Sequence, residues 1–172
     1  MTTSDQGIDL IKHHEVLRLQ AYPDGGGYSV GYGHHGVPAG TTITEAQAEA
    51  LLRQDLPARE RAVKALGASL AQNQFDALVS LCYNIGTGAF AGSTVARLVR
   101  EDPAPRPELE QAWRAWRLAG GKVSAGLERR RADEYALYSS AASSAASPLP
   151  SIVFLAILAL LLAILALLLS IL

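Results

Sequence analysis

The chain has 172 residues, and its 15 Lys and Arg against 16 Asp and Glu leave a formal net charge of −1. That balance excludes a nucleic-acid binder held by bulk charge, and the lone Cys82 excludes an intramolecular disulfide. Every charged residue precedes Ser139, so composition alone separates a charged region large enough to fold as one domain from an uncharged C-terminal remainder.

Ile8, Ile11, Val16 and Leu19 recur at helical spacing and predict a helix over 5–20 with Glu15 in its final turns, ended by Tyr22-Pro23. Gly25 to Gly27, followed by Tyr28-Ser29-Val30-Gly31-Tyr32, predicts a glycine turn between short strands, a hairpin carrying Asp24 and Ser29. Thr44-Glu-Ala-Gln47 matches a capping box and opens a helix that Pro57 kinks or divides before Gly67 closes it, a long connector between two lobes. Ser69-x-x-Gln72 repeats the cap signal ahead of a stripe of Phe75, Leu78, Val79, Cys82 and Ile85, the expected heart of the second lobe. On that stripe Cys82 reads as a small buried hydrophobe rather than a redox-sensitive thiol. Helices are further predicted over 93–100, 107–118 and 124–138, with a proline-rich loop at 102–107. Trp113 and Trp116, at i and i+3, read as core. The fold class is α+β, mostly helical in two lobes, with a small N-terminal β-hairpin.

A carboxyl late in an apolar helix and a carboxylate on a glycine-rich hairpin suit hydrolysis of a sugar bond. One acid must be held protonated for the leaving oxygen, and a second must stay ionised to activate water or stabilise the cation. Glu15 is the candidate acid, placed in an apolar cleft that disfavours its charge. Asp24, solvated and ionised, is the candidate base or cation stabiliser. Around them the run from Gly7-Ile-Asp-Leu-Ile-Lys-His-His-Glu15 to Gly31-Tyr-Gly-His34 resembles the phage-type lysozymes of glycoside hydrolase family 24. Asn73-Gln-Phe-Asp-Ala-Leu-Val-Ser-Leu-Cys-Tyr-Asn-Ile-Gly86 and Ala119-Gly-Gly-Lys-Val123 running into Gly126-Leu-Glu-Arg-Arg-Arg131 are similar to the same family, and the resemblance covers roughly 5–138.

The resemblance implies a lysozyme-like fold and hydrolysis of the β-1,4 bond between N-acetylmuramic acid and N-acetylglucosamine in peptidoglycan, with no cofactor. It implies Glu15, Asp24 and Ser29 as the catalytic set, Ser29 standing for the family's usual Thr. It also implies Tyr83, Asn84 and Ser93 along the saccharide cleft. Four residues, Gly25 to Tyr28, separate Asp24 from Ser29 where the family usually has five. His14 and Val16 replace the usual Phe and Gly beside Glu15, and a charged His14 there would favour ionised Glu15. These departures keep open an alternative, a catalytically silent lysozyme-like module that binds peptidoglycan. The pairs His13-His14 and His34-His35 suggest metal binding only weakly, because adjacent helical residues do not face the same way; no metal is expected, and His34 is expected to brace the hairpin. Of Arg129-Arg130-Arg131, at least two are expected on a solvated helix face, with one guanidinium aimed at Glu15 as the other reading.

The three expected segments are a catalytic domain at 1–138, a Ser/Ala/Pro linker at 139–150 and a hydrophobic segment at 151–172. The run 152–172 holds only Ala and Ser170 besides Ile, Leu, Val and Phe. As a helix it would be roughly 31 Å long against a hydrocarbon core of about 30 Å, so a transmembrane helix is expected. Residues 1–20 show no secretory signal. The basic cluster 129–131, with no charge after the tail, places the domain on the cytoplasmic side. It would then reach the cell wall through a holin-type hole or through a disturbance of the bilayer by the tail itself. The expected partners are the peptidoglycan glycan strand and the membrane, with the chain otherwise a monomer.

Overall fold

Ser4 accepts a hydrogen bond from the Gly7 amide and so starts α1 (Asp5–His14), which buries Ile8 and Ile11. The predicted helix over 5–20 ends at His14, because Glu15 already has extended backbone (φ −98°, ψ 135°). Val16 and Leu19 share the helical spacing but are exposed, so no core holds them in a helix. Residues Arg18–Asp24 instead form β1, paired antiparallel with β2 (Gly27–Gly31), which pairs in turn with β3 (His34–His35). Pro23 therefore sits inside a strand rather than ending a helix. It is tolerated there because β1 lies at the sheet edge.

The register sets Asp24 opposite Gly27 and Tyr22 opposite Ser29. Gly25 (φ 56°) and Gly26 (φ 88°) make the left-handed two-residue turn that joins strands of this twist. The glycine hairpin is thus present as expected, with β3 as an additional strand.

The computed structural model describes residues 1–145, with side chains to 140. Met1–Ala141 forms one compact unit. The Thr44 capping box forms, and α2 (Glu45–Lys64) runs through Pro57 as one helix. Ala71, not Ser69, precedes α3 (Gln72–Ile85), and the Gln74 side chain accepts from the Ala71 amide in place of a hydroxyl cap. Residues 74 to 82 of α3 are all buried, so this helix is the centre of the domain. Cys82 is fully buried, and burial pushes its thiol up to about 11, which leaves it inert at neutral pH.

Around α3 lie α4 (Thr87–Ala91), α5 (Thr94–Glu101) and α6 (Pro107–Arg114), the last opening with Pro at its first turn. A 3-10 turn, Ala115–Arg117, leads to a two-strand hairpin of β4 (Leu118–Ala119) and β5 (Lys122–Val123), and then to α7 (Ala125–Ala145). The helix α7 continues past Tyr138 into the predicted linker, where Ser and Ala follow one another with no Pro before Pro148. Among the described residues no helix is long and apolar enough to cross a membrane. The predicted transmembrane segment, 151–172, lies outside them.

Candidate active site

Ending α1 at His14 puts Glu15 at the helix C-cap, its amide donating to Ile11 O at 3.0 Å. Its carboxylate is not in an apolar cleft. Oε1 accepts from Arg130 Nη1 at 2.6 Å, and the side chain keeps 24% of its exposure. Arg130 is itself only 3% exposed and is fixed from behind: Nε donates to Glu134 Oε1 at 3.1 Å. Glu134, with no exposure, also accepts from Ser80 Oγ (2.8 Å), Trp113 Nε1 (3.0 Å) and Arg131 Nη2 (2.9 Å). A buried charge is tolerated when opposite charges and hydrogen-bond donors surround it, and this network aims one guanidinium at Glu15. The expectation of a solvated face for at least two of the three arginines is therefore corrected: Arg129 is exposed, while Arg130 and Arg131 are buried. The signal was present in the i+4 and i+3 spacing of Arg130 and Arg131 to Glu134, on a face shared with Tyr135 and Tyr138.

Asp24 is held differently. Its side chain is 51% exposed, as expected for a solvated carboxylate on the hairpin. Ser29, fully buried, donates from Oγ to Asp24 Oδ2 at 2.8 Å. With that hydroxyl proton used, His35 Nδ1, 3.1 Å from Ser29 Oγ, must be the donor in the second contact. His35 is a contributor that sequence reasoning missed. The four-residue spacing thus keeps the hydroxyl on the carboxylate, because the two-glycine turn closes the hairpin tightly. His34 braces the hairpin as expected, its Nδ1 3.1 Å from both carboxylate oxygens of Asp55 on α2.

Tyr83 donates from its hydroxyl to Tyr32 O at 2.8 Å, with the Arg59 guanidinium 5.3 Å from the ring centre. Burial pushes its phenol well up, so it stays protonated and ties α3 to the hairpin region. Asn84 is exposed and shares a cavity of about 380 Å³ with Glu15, His13, His14 and Arg130. Asp24, Ser29 and Tyr83 do not line that cavity. Neither does Ser93, which caps α5 by accepting from the Ala96 amide at 3.0 Å and lies on another cavity, about 720 Å³, between α5 and α6. That larger cavity holds Glu108 as its one acid, whereas the cavity beside Asn84 holds Glu15 and Asp133. Trp113 is core, as expected, and Trp116 is partly buried on the larger cavity.

Burial first, and then the Arg130 guanidinium, push the His14 imidazole below its ordinary value. The lowered value weakens at neutral pH the influence on Glu15 expected of a charged ring. His14 Nε2 lies 3.1 Å from Asp133 Oδ2 on α7.

The family described as Phage lysozyme matches residues 12–134. The endolysin of Bacillus phage PZA is 45% identical over 146 residues, 81% of this chain and 56% of that protein, so the chain spans little more than half of that relative's length. The endolysin of Acyrthosiphon pisum secondary endosymbiont phage 1 is 38% identical over 146 residues, 82% of this chain and 100% of that protein. Among solved structures, the muramidase domain of SpmX from Asticaccaulis excentricus superposes with a TM-score of 0.73 at 43% identity, covering 79% of this chain and 96% of that one.

Proposed function

Because the chain belongs to the phage lysozyme family, we propose that it is an endolysin-type lysozyme that hydrolyses the β-1,4 bond between N-acetylmuramic acid and N-acetylglucosamine in peptidoglycan, for lysis of the host cell wall. The observation that carries this reading is the Ser29 Oγ to Asp24 Oδ2 contact at 2.8 Å, retained on a hairpin shorter than the family's usual one. Asp24 stabilises the cation or activates water, and Ser29 fixes one oxygen of its carboxylate. Glu15 delivers the proton to the leaving oxygen, while Arg130 holds its Oε1 in place. Asn84 meets the glycan in the cavity beside Glu15. Tyr83 and Ser93 contribute through the walls they hold up rather than through free hydroxyls, in keeping with the hydrogen bonds both already make.

The charge-free run 152–172 attaches the enzyme to the membrane, in keeping with its length and composition. With the basic residues 129–131 preceding it, the domain waits on the cytoplasmic side and reaches the wall when a holin-type hole or the tail breaches the bilayer. Protease protection of the domain in spheroplasts tests that orientation; digestion from outside intact spheroplasts would defeat it.

The activity is tested by turbidity loss of purified peptidoglycan with the full chain beside Glu15→Gln and Asp24→Asn. Each substitution is expected to slow lysis by about 10²- to 10⁴-fold, the range for loss of an acid or base group. If the unsubstituted chain is folded and binds peptidoglycan without lysing it, the silent binding module is the correct reading.

A further inference from the structure

We propose that His13, His14 and Asp133 form a binding site for a divalent transition-metal ion, zinc in the first instance, beside Glu15. One donor atom from each residue can be chosen so that all three lie within 4.8 Å of one another. A tetrahedral zinc with bonds of about 2.0–2.1 Å separates its ligand atoms by roughly 3.3 Å. His14 Nε2 and Asp133 Oδ2 stand 3.1 Å apart already, close to that spacing.

A second observation points to a missing partner. His14 Nε2 is buried, in a side chain only 9% exposed, and its contact with Asp133 lacks the alignment of a hydrogen bond. A buried nitrogen without a hydrogen bond costs about 1–3 kcal/mol in general, and an ion between the two groups would satisfy both. Adjacent positions face apart within a helix, but α1 ends at His14, and the two rings meet edge to face with centroids 4.9 Å apart. The third donor comes from α7. His13 and Asp133 are exposed, so an ion can enter and His13 can rotate toward it. Imidazole and carboxylate together suit zinc, and three protein donors leave a fourth position open to water. Of the two arginines on the same cavity, Arg130 is already balanced by Glu15 and Glu134, and Arg129 is exposed to solvent.

The test is calorimetric titration of zinc chloride into the full chain in detergent, with thermal unfolding followed in parallel. One zinc per chain and a raised Tm are expected. Asp133→Asn and His13→Ala should each weaken binding by about 10- to 100-fold, the range that loss of even an outer partner produces, and should melt like the parent without zinc. His35→Gln, in the other histidine pair, should leave zinc binding unchanged. Absence of binding heat and Tm shift, or full-strength binding in both Asp133→Asn and His13→Ala, overturns the site. Binding is read without turnover, so the result is independent of whether the chain is a lysozyme.

Discussion

The two carboxylates of the site are held by opposite means. Asp24 takes its contacts from Ser29 and His35, within the same hairpin, and keeps half of its side chain in water. Glu15 takes its contact from Arg130, 115 residues away, which is fixed by a buried cluster of Glu134, Ser80, Trp113 and Arg131. Local turn chemistry therefore sets one group, and the assembled core sets the other. Substitutions near Asp24 should change turnover with little effect on stability, whereas substitutions behind Glu15 should change both.

The largest expected effect is that of Glu134→Ala. It strands two buried arginines, and breaking a buried ion pair from one side costs about 3–5 kcal/mol; urea denaturation should register that loss, with lysis falling alongside. Ser29→Ala comes next and should leave Tm within a few degrees. The hydroxyl it removes positions one oxygen of the Asp24 carboxylate, and a misplaced reacting group costs up to about a hundredfold in rate, so turnover should drop by roughly ten- to a hundredfold. A drop in Tm as large as that of Glu134→Ala would erase the distinction between the two regions. Gly26→Ala places a Cβ at φ 88° in the hairpin turn, at a cost of about 1–2 kcal/mol. Turnover should suffer more than unfolding in this variant, as comparison of the two measurements will reveal. The smallest effect is that of Arg97→Ala, which removes an exposed pair with Glu101 on α5; both stability and lysis should stay within about 0.5 kcal/mol of the parent.

The same contrast explains what could be read from the residues. The hairpin with Asp24 and Ser29 was legible because a run of glycines between apolar residues specifies a turn without reference to distant chain. The cap at Thr44 and the buried face of α3 were legible for the same reason. The end of α1 was not: Val16 and Leu19 have helical spacing, and only the absence of a core beneath them, together with strand partners at Gly31 and Ser29, shows that the chain leaves the helix. Arg130 was legible only in part: its i+4 spacing to Glu134 marks a pair, but that the pair is buried shows only when Ser80 and Trp113 are brought around it. The two-residue strands β4 and β5 are too short to carry any periodicity.

The separation between Glu15 and Arg130 also has a meaning during synthesis. At about 5–20 residues per second, the ribosome needs roughly 6 to 23 s to pass from one to the other. Throughout that interval the acid is made but unaligned, and any product truncated before α7 lacks the guanidinium that places it. The contact that fixes Glu15 Oε1 is thus completed only when the last helix of the domain has been made and folded against the first.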